Sequence, residues 1–189
     1  MLHNKYFEIM KEFLNGYNRE IYGRELIGKI KISQKNISNT LVELEKEGVL
    51  KSSFSGNRRY YSLNFENFLL RDYLSFFEEG VKISFLKHNS VLVDFFRKIS
   101  GEIVCVFGSY AKGKNKKESD LDLLIVGGNS AEILRIGKEY GLNAQVFEIS
   151  LNDFRKGFKE NLILNECLKN HILINGRDLF IEEVLKWMD

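Results

Sequence analysis

The chain has 189 residues, 44% of them hydrophobic and 29% charged, with a formal net charge of +2. No apolar run approaches the roughly 20 residues of a membrane-spanning helix, which excludes a helical membrane protein, and Met1-Leu2-His3-Asn4-Lys5 lacks the basic-then-apolar pattern of a secretory leader, so a cytoplasmic protein is expected. Cys105 and Cys167 form no CxxC spacing and lie in apolar segments, and His3, His88 and His171 form no ligand spacing with each other, which excludes a disulfide framework and a structural zinc site.

The net charge alone argues against a nucleic-acid partner, but it is unevenly divided. Residues 1–65 carry 11 Lys and Arg against 7 Asp and Glu, and residues 66–189 carry 17 against 19. A small basic module followed by a mildly acidic one is the organisation expected. The first opens with an amphipathic helix whose apolar stripe is Tyr6, Met10, Phe13, Leu14 and Tyr17, ended by Gly16. A second short helix is expected at residues 24–30. Ser33 is a good N-cap for a third helix, which runs to a C′ glycine, Gly48. Its core face is Ile37, Leu41 and Leu44, with Glu43, Glu45, Lys46 and Glu47 solvated near its end. The opposite face of its first turns is Gln34, Lys35, Asn36, Ser38, Asn39 and Thr40: small or amide side chains, one cation and no carboxylate. Residues 49–54 and 59–63 read as strands linked by Ser55-Gly56-Asn57-Arg58, a hairpin with a basic tip.

Three helices and a hairpin in 65 residues resemble the winged helix-turn-helix of bacterial and archaeal regulators. The resemblance lies in Glu25-Leu26-Ile27-Gly28-Lys29-Ile30-Lys31-Ile32-Ser33 and Leu41-Val42-Glu43-Leu44-Glu45-Lys46-Glu47-Gly48-Val49-Leu50. It implies double-stranded DNA as a partner. An N-capped helix led by amides enters the major groove, where Gln34, Lys35, Asn36, Ser38 and Asn39 meet base edges, while Lys51, Arg58 and Arg59 neutralise phosphates. A homodimer is the default for a winged helix reading paired half-sites. The alternative is that this polar face only keeps the module soluble, with the module serving protein interaction or dimerisation.

Residues 66–100 place Phe68, Leu69, Tyr73, Phe76, Phe77, Val81, Phe85, Leu86, Val91, Phe95 and Phe96 at helical spacing. Two or three connecting helices are expected, interrupted at Gly80 and at His88-Asn89-Ser90. So many aromatics predict packing on the next domain or a dimer interface.

The segment richest in chemistry is Ile103-Val104-Cys105-Val106-Phe107-Gly108-Ser109-Tyr110-Ala111-Lys112-Gly113, a lysine-rich turn, and Ser119-Asp120-Leu121-Asp122-Leu123-Leu124-Ile125-Val126. Period-two geometry puts Asp120 and Asp122 on one face of a strand, within reach of a single hard cation, and turns Leu121 and Leu123 into the core. Two such carboxylates are unfavourable together unless something positive sits between them. Mg²⁺ carrying a nucleoside triphosphate suits the site. Gly108 allows close approach of backbone to phosphate, Ser109 offers a hydroxyl and an amide donor, and Lys112 or Lys114 screens phosphate charge. These are the parts of phosphoryl or nucleotidyl transfer.

Gly108-Ser109, ten intervening residues and Asp120-Leu121-Asp122-Leu123 are similar to the signature of the polymerase-β-type nucleotidyltransferase superfamily, and most of all to its small prokaryotic minimal members. The resemblance covers residues 102–154, and residues 165–176 look like the C-terminal helix and strand of archaeal proteins that carry a winged helix before such a domain. It implies an α+β chain: a winged helix-turn-helix at 1–65, a helical connector at 66–100, and at 101–189 a mixed sheet with flanking helices. It also implies Asp120 and Asp122 as catalytic ligands of Mg²⁺ or Mn²⁺, and Gly108, Ser109 and Lys112 as the nucleotide contacts, with Ser109 counted in the catalytic set. The superfamily's third carboxylate opens the strand after the next helix. Here the helix is expected at 131–140, the strand at 144–149, and the matching position is Gln145. Glu148, three residues on, faces the other side of a regular strand. An amide accepts from a metal-bound water but is no base near neutral pH. Two readings stay open: transfer of a nucleotidyl group to a hydroxyl acceptor, and a non-catalytic transcriptional regulator or antitoxin-like module acting on a partner protein.

Overall fold

The computed structural model describes residues 5–87, 89–116, 118–157 and 161–188. They divide into two compact units between Gly80 and Val81. His3 and His88 lie outside the described residues.

In the first unit, α1 (Lys5–Leu14) buries Phe7, Ile9, Met10, Phe13 and Leu14. Its apolar face is wider than the expected stripe and turned away from Tyr6, whose hydroxyl donates to Glu43 Oε2 at 2.6 Å. Tyr17 lies beyond the helix end, buried, and donates to Glu78 Oε1 at 2.8 Å. After β1 (Ile21–Tyr22), the expected second helix is reduced to one 3₁₀ turn, Gly23–Leu26. Gly28 takes φ +83°, a left-handed conformation that stops a helix, and only Leu26 of this turn is anchored in the core.

The third expected helix is α2 (Gln34–Lys46), started by Ser33, whose side chain accepts from the Asn36 N–H. Ile37, Leu41 and Leu44 are buried as the pattern predicts, but so is Thr40. Residues 37, 40, 41 and 44 form a broader i, i+3, i+4, i+7 face than the apolar positions reveal. Glu43 and Glu45 are not simply solvated either: Glu43 pairs with Lys5 at 2.6 Å, and Glu45 pairs with Arg59 at 2.5 Å. β2 (Leu50–Ser55) and β3 (Arg58–Leu63) form the expected hairpin, with Ser55 opposite Arg58 and Gly56 at φ +58° in the turn. β1 adds to β3, giving an antiparallel sheet in the order β1-β3-β2.

The aromatic-rich stretch forms α3 (Leu70–Leu86) and α4 (Ser90–Phe96). The interruption expected at Gly80 is absent. One glycine costs a helix about 1 kcal/mol relative to alanine, and the buried Leu74, Phe77 and Glu78 anchor the turns before it. The division between units falls inside α3, so residues 66–100 are shared: Phe77 lies against Phe7 in the first unit, with ring centroids 6.4 Å apart, and Val81, Phe85 and Leu86 pack on the core of the second.

That second core lies on a mixed four-stranded sheet, β4 (Ile103–Val106), β5 (Leu121–Val126), β6 (Ala144–Ile149) and β7 (Ile172–Asn175), in the order β6-β5-β4-β7. Only β5 and β6 run parallel, joined through α6 (Ser130–Glu139). Val104, Val106, Leu121, Leu123 and Ile125 fill one face with Leu92 and Phe95 of α4 and Ile133 and Ile136 of α6. By alternation, Cys105 and Leu124 belong to the other face, on the side of α8 (Leu162–Lys169), whose Cys167 lies beside Cys105. Both thiols are free and buried, and burial with the neighbouring Cys105 holds the Cys167 thiol well above its ordinary value. α7 (Leu151–Arg155) and α9 (Arg177–Met188) contribute the buried Phe154, Phe180, Ile181 and Val184. The chain is thus α+β, and among the described residues no helix is long and apolar enough to cross a membrane.

Thr40 Oγ1 is buried with no hydrogen-bond partner among the described residues. A buried hydroxyl without a partner is unfavourable by about 1 kcal/mol or more. Thr40→Val is therefore expected to raise the melting temperature by about 2–4 °C, measured by calorimetry, and a fall would show that the hydroxyl is satisfied in solution.

Candidate functional site

β4 and β5 are antiparallel, with Val106 opposite Leu123, and the ladder continues one residue further as the Phe107 N–H donates to the Asp122 carbonyl at 3.0 Å. This places the residues after β4 against the start of β5. Gly108 takes φ +66°, turning the chain into the short α5 (Gly108–Ala111). A Cβ on Gly108 would overlap the Asp122 carboxylate, so only glycine fits there. The Ser109 N–H then donates to that carboxylate.

Leu121 and Leu123 turn into the core, leaving Asp122 half-buried on the opposite face. Asp120 lies just before β5 and is exposed, its Oδ1 accepting from the Asn143 side-chain amide. Burial, followed by the charge of Asp120, raises the Asp122 carboxyl above its ordinary value, while Lys112 and the Ser109 N–H act in the opposite direction. The two aspartates are near enough for their charges to interact. Lys112 pairs with Glu166 of α8, and Lys114 and Lys116 are exposed beyond it. Lys117 lies outside the described residues.

Gln145 stands in register with Asp122 across the parallel β5–β6 pair. Glu148 is at the other end of β6, where Oε2 accepts from the Ser130 N–H at 2.8 Å and caps α6. Among the described residues, no three His, Cys, Asp or Glu side chains are grouped to hold a metal. A two-carboxylate donor set still fits Mg²⁺ or Mn²⁺, which bind through one or two carboxylates and complete an octahedron with water and phosphate oxygens. The Asp122 carboxyl, raised by burial and then by the charge of Asp120, and the Cβ-less contact at Gly108 that leaves backbone next to it, are the features that fit such an ion.

Sequence reading missed Asn143 and Glu166. Asn143 was findable: once Asp122 is aligned with Gln145, the parallel register carries Asp120 to Asn143. Glu166 is 54 residues from Lys112, and no local pattern marks it.

In the first unit, Gln34, Lys35, Asn36, Ser38 and Asn39 are all exposed on α2, whereas Thr40 is not. Gln34 and Ser38 border a cavity that also touches Arg59. Lys51 is exposed, with its ammonium 3.5 Å from Glu66, and Arg58 lies over the Tyr22 ring at 5.8 Å. Arg59 is engaged inside the module: Nε donates to Ser52 Oγ at 3.0 Å and a terminal nitrogen to Glu45.

Residues 90–183 match the family model described as a nucleotidyltransferase domain. No curated protein and no solved structure matches the chain.

Asp122 gives a pH-dependent prediction. An acid whose folded-state pKa is raised contributes stability below its unfolded value of about 3.9, and that contribution is lost as pH rises through the folded pKa. Without added divalent cation, Asp122→Asn should therefore raise the melting temperature near pH 7. The difference should vanish near pH 3. Equal melting temperatures across that range would mean that the paired charges are already compensated.

Proposed function

From the premise of a nucleotidyltransferase domain at residues 90–183, we propose that the chain binds a nucleoside triphosphate with Mg²⁺ or Mn²⁺ and tethers that site to double-stranded DNA. The observation that carries the first half is the packing of Gly108 and Ser109 on the Asp122 carboxylate. It joins a left-handed glycine turn to a pair of acids suited to a cation. Asp120 and Asp122 would hold the ion, Gly108 and Ser109 would take phosphate oxygens, and Lys112 would exchange Glu166 for the triphosphate. When bound, the ion neutralises phosphate charge and lowers the pKa of an incoming hydroxyl. The reaction supported on this reading is transfer of a nucleotidyl group to a hydroxyl acceptor, with residues 101–189 as the reacting domain and 66–100 as its link to the first module.

Gln145 beside Asp122 supports a second reading, binding without turnover, in which the chain is a nucleotide-responsive regulator or an antitoxin-like module acting on a partner protein. No side chain at this strand position can take a proton near neutral pH. The two readings share the nucleotide site, and turnover separates them.

The DNA half rests on the order of elements in residues 1–65: helix, strand, 3₁₀ turn, capped helix and hairpin, with β1 on β3. This supports a winged helix in which Gln34, Lys35, Asn36, Ser38 and Asn39 meet base edges and Lys51 and Arg58 meet phosphates. Arg59, tied to Glu45 and Ser52, positions the wing against α2 instead of reaching for phosphate. Such a module reads paired half-sites as a homodimer.

Calorimetric titration with ATP and Mg²⁺ should show binding that Asp120→Asn with Asp122→Asn weakens by about tenfold or more, the loss of at least 1.4 kcal/mol. Unchanged affinity in the double variant would overturn the site. Incubation with α-labelled nucleotides then separates the readings, since label transferred by wild type and not by the double variant requires turnover.

Duplex binding should weaken steeply with salt, and Arg58→Gln should reduce the slope of log K against log salt by about one. Binding indifferent to salt, or undetectable at moderate ionic strength, would remove DNA as the partner.

A further inference from the structure

The first unit holds a cavity of about 350 Å³ between α2 and strands β1 and β3. Its lining includes the apolar Ile37 and Leu41, the aromatic Tyr22 and Tyr61 and two cations, Arg24 and Arg59, and among the described residues no carboxylate lines it. Arg59 is partly neutralised by Glu45, but that acid has nothing left to offer a ligand: one oxygen accepts from the Ser52 hydroxyl and the other from Arg59 itself. The Arg59 fork is held by Ser52 and Glu45, with its guanidinium 5.1 Å from the centre of the Tyr61 ring. A preset cation beside an aromatic ring, in a partly apolar cavity, accepts an anion whose body is flat and apolar. A bare phosphate would lose its hydration against Ile37 and Leu41 without recovering it.

We propose that this cavity binds a small aromatic carboxylate, its ring against Tyr22 and Tyr61 and its carboxylate toward Arg24 and Arg59. Gln34 and Ser38 border the same cavity. A bound ligand would therefore occupy the residues assigned above to base edges, a consequence that rests on the DNA-binding reading, whereas the cavity's own binding does not.

Benzoate is the probe, measured by equilibrium dialysis against the full chain without DNA or nucleotide, with benzyl alcohol as its uncharged counterpart. For a ligand of so few atoms the expected dissociation constant is about 1 mM. Ser38 is exposed, so Ser38→Trp should fold, as checked by circular dichroism, and its ring should fill the cavity and weaken benzoate about tenfold. Arg24→Gln should weaken benzoate about fivefold and leave benzyl alcohol unchanged. The proposal is overturned by no binding to wild type at about 10 mM, by benzoate binding Ser38→Trp as well as wild type, or by equal affinity for benzyl alcohol. In a separate arm, benzoate should displace duplex from wild type, and Arg24→Gln should need about fivefold more to do so. If duplex never binds, the DNA reading fails while the dialysis result still decides the cavity.

Discussion

A glycine backbone held against a carboxylate is the contact on which the second unit's site depends. Gly108 reaches Asp122 only because β4 and β5 are antiparallel in a register that continues through the Phe107 N–H. That register is enforced on the far face, where Val104, Val106, Leu121, Leu123 and Ile125 fill the core. A one-residue slip would turn Asp122 inward and the leucines outward, so the hydrophobic core and the carboxylate's position are one requirement. The left-handed φ at Gly108 then lets Ser109 turn back and donate to the same carboxylate.

Both units hold a cation with a helix carboxylate, yet the two pairs differ in how easily they come apart. Lys112 and Glu166 are each 37% exposed, and such a pair is worth about 0–1 kcal/mol. On the proposed reading, a triphosphate arriving beside Asp122 would offer Lys112 more charge than Glu166 does, which favours the exchange. Arg59 is fixed by Glu45, by Ser52 and by rings at 5.1 and 5.6 Å. A guanidinium so held loses several interactions when it leaves, which is why its role is to shape the wing and the cavity beside it.

The sequence was most legible where local chemistry decides structure. Ser33 caps α2, the two-residue Gly56-Asn57 turn closes the hairpin, and β6 falls at 144–149, where a strand is expected after the helix. The GS and DxD segments met because two apolar strands of the right length flank them. What escaped depended on partners distant in the chain. Gly28 shortened a helix that its apolar neighbours favoured, Gly80 failed to stop one held by buried side chains on its preceding turns, and Thr40 was drawn inside by the width of the α2 face. Glu166 and Asn143 became visible only once β6, α8 and the sheet order were in place.

Gln145 decides more than the loss of a base. Burial, followed by the charge of Asp120, already raises the Asp122 carboxyl, and a third acid in register with Asp122 would add repulsion on a half-buried group. With an amide there, the two carboxylates would balance one divalent cation on the proposed reading, and the amide could still bond a water of its shell. The same neutrality leaves the proton of an attacking hydroxyl with no protein acceptor on β6, since Glu148 is committed to the α6 N-terminus. On the catalytic reading, that proton would have to leave by a route other than β6. The arrangement that would steady a bound nucleotide is thus the one that separates holding it from consuming it.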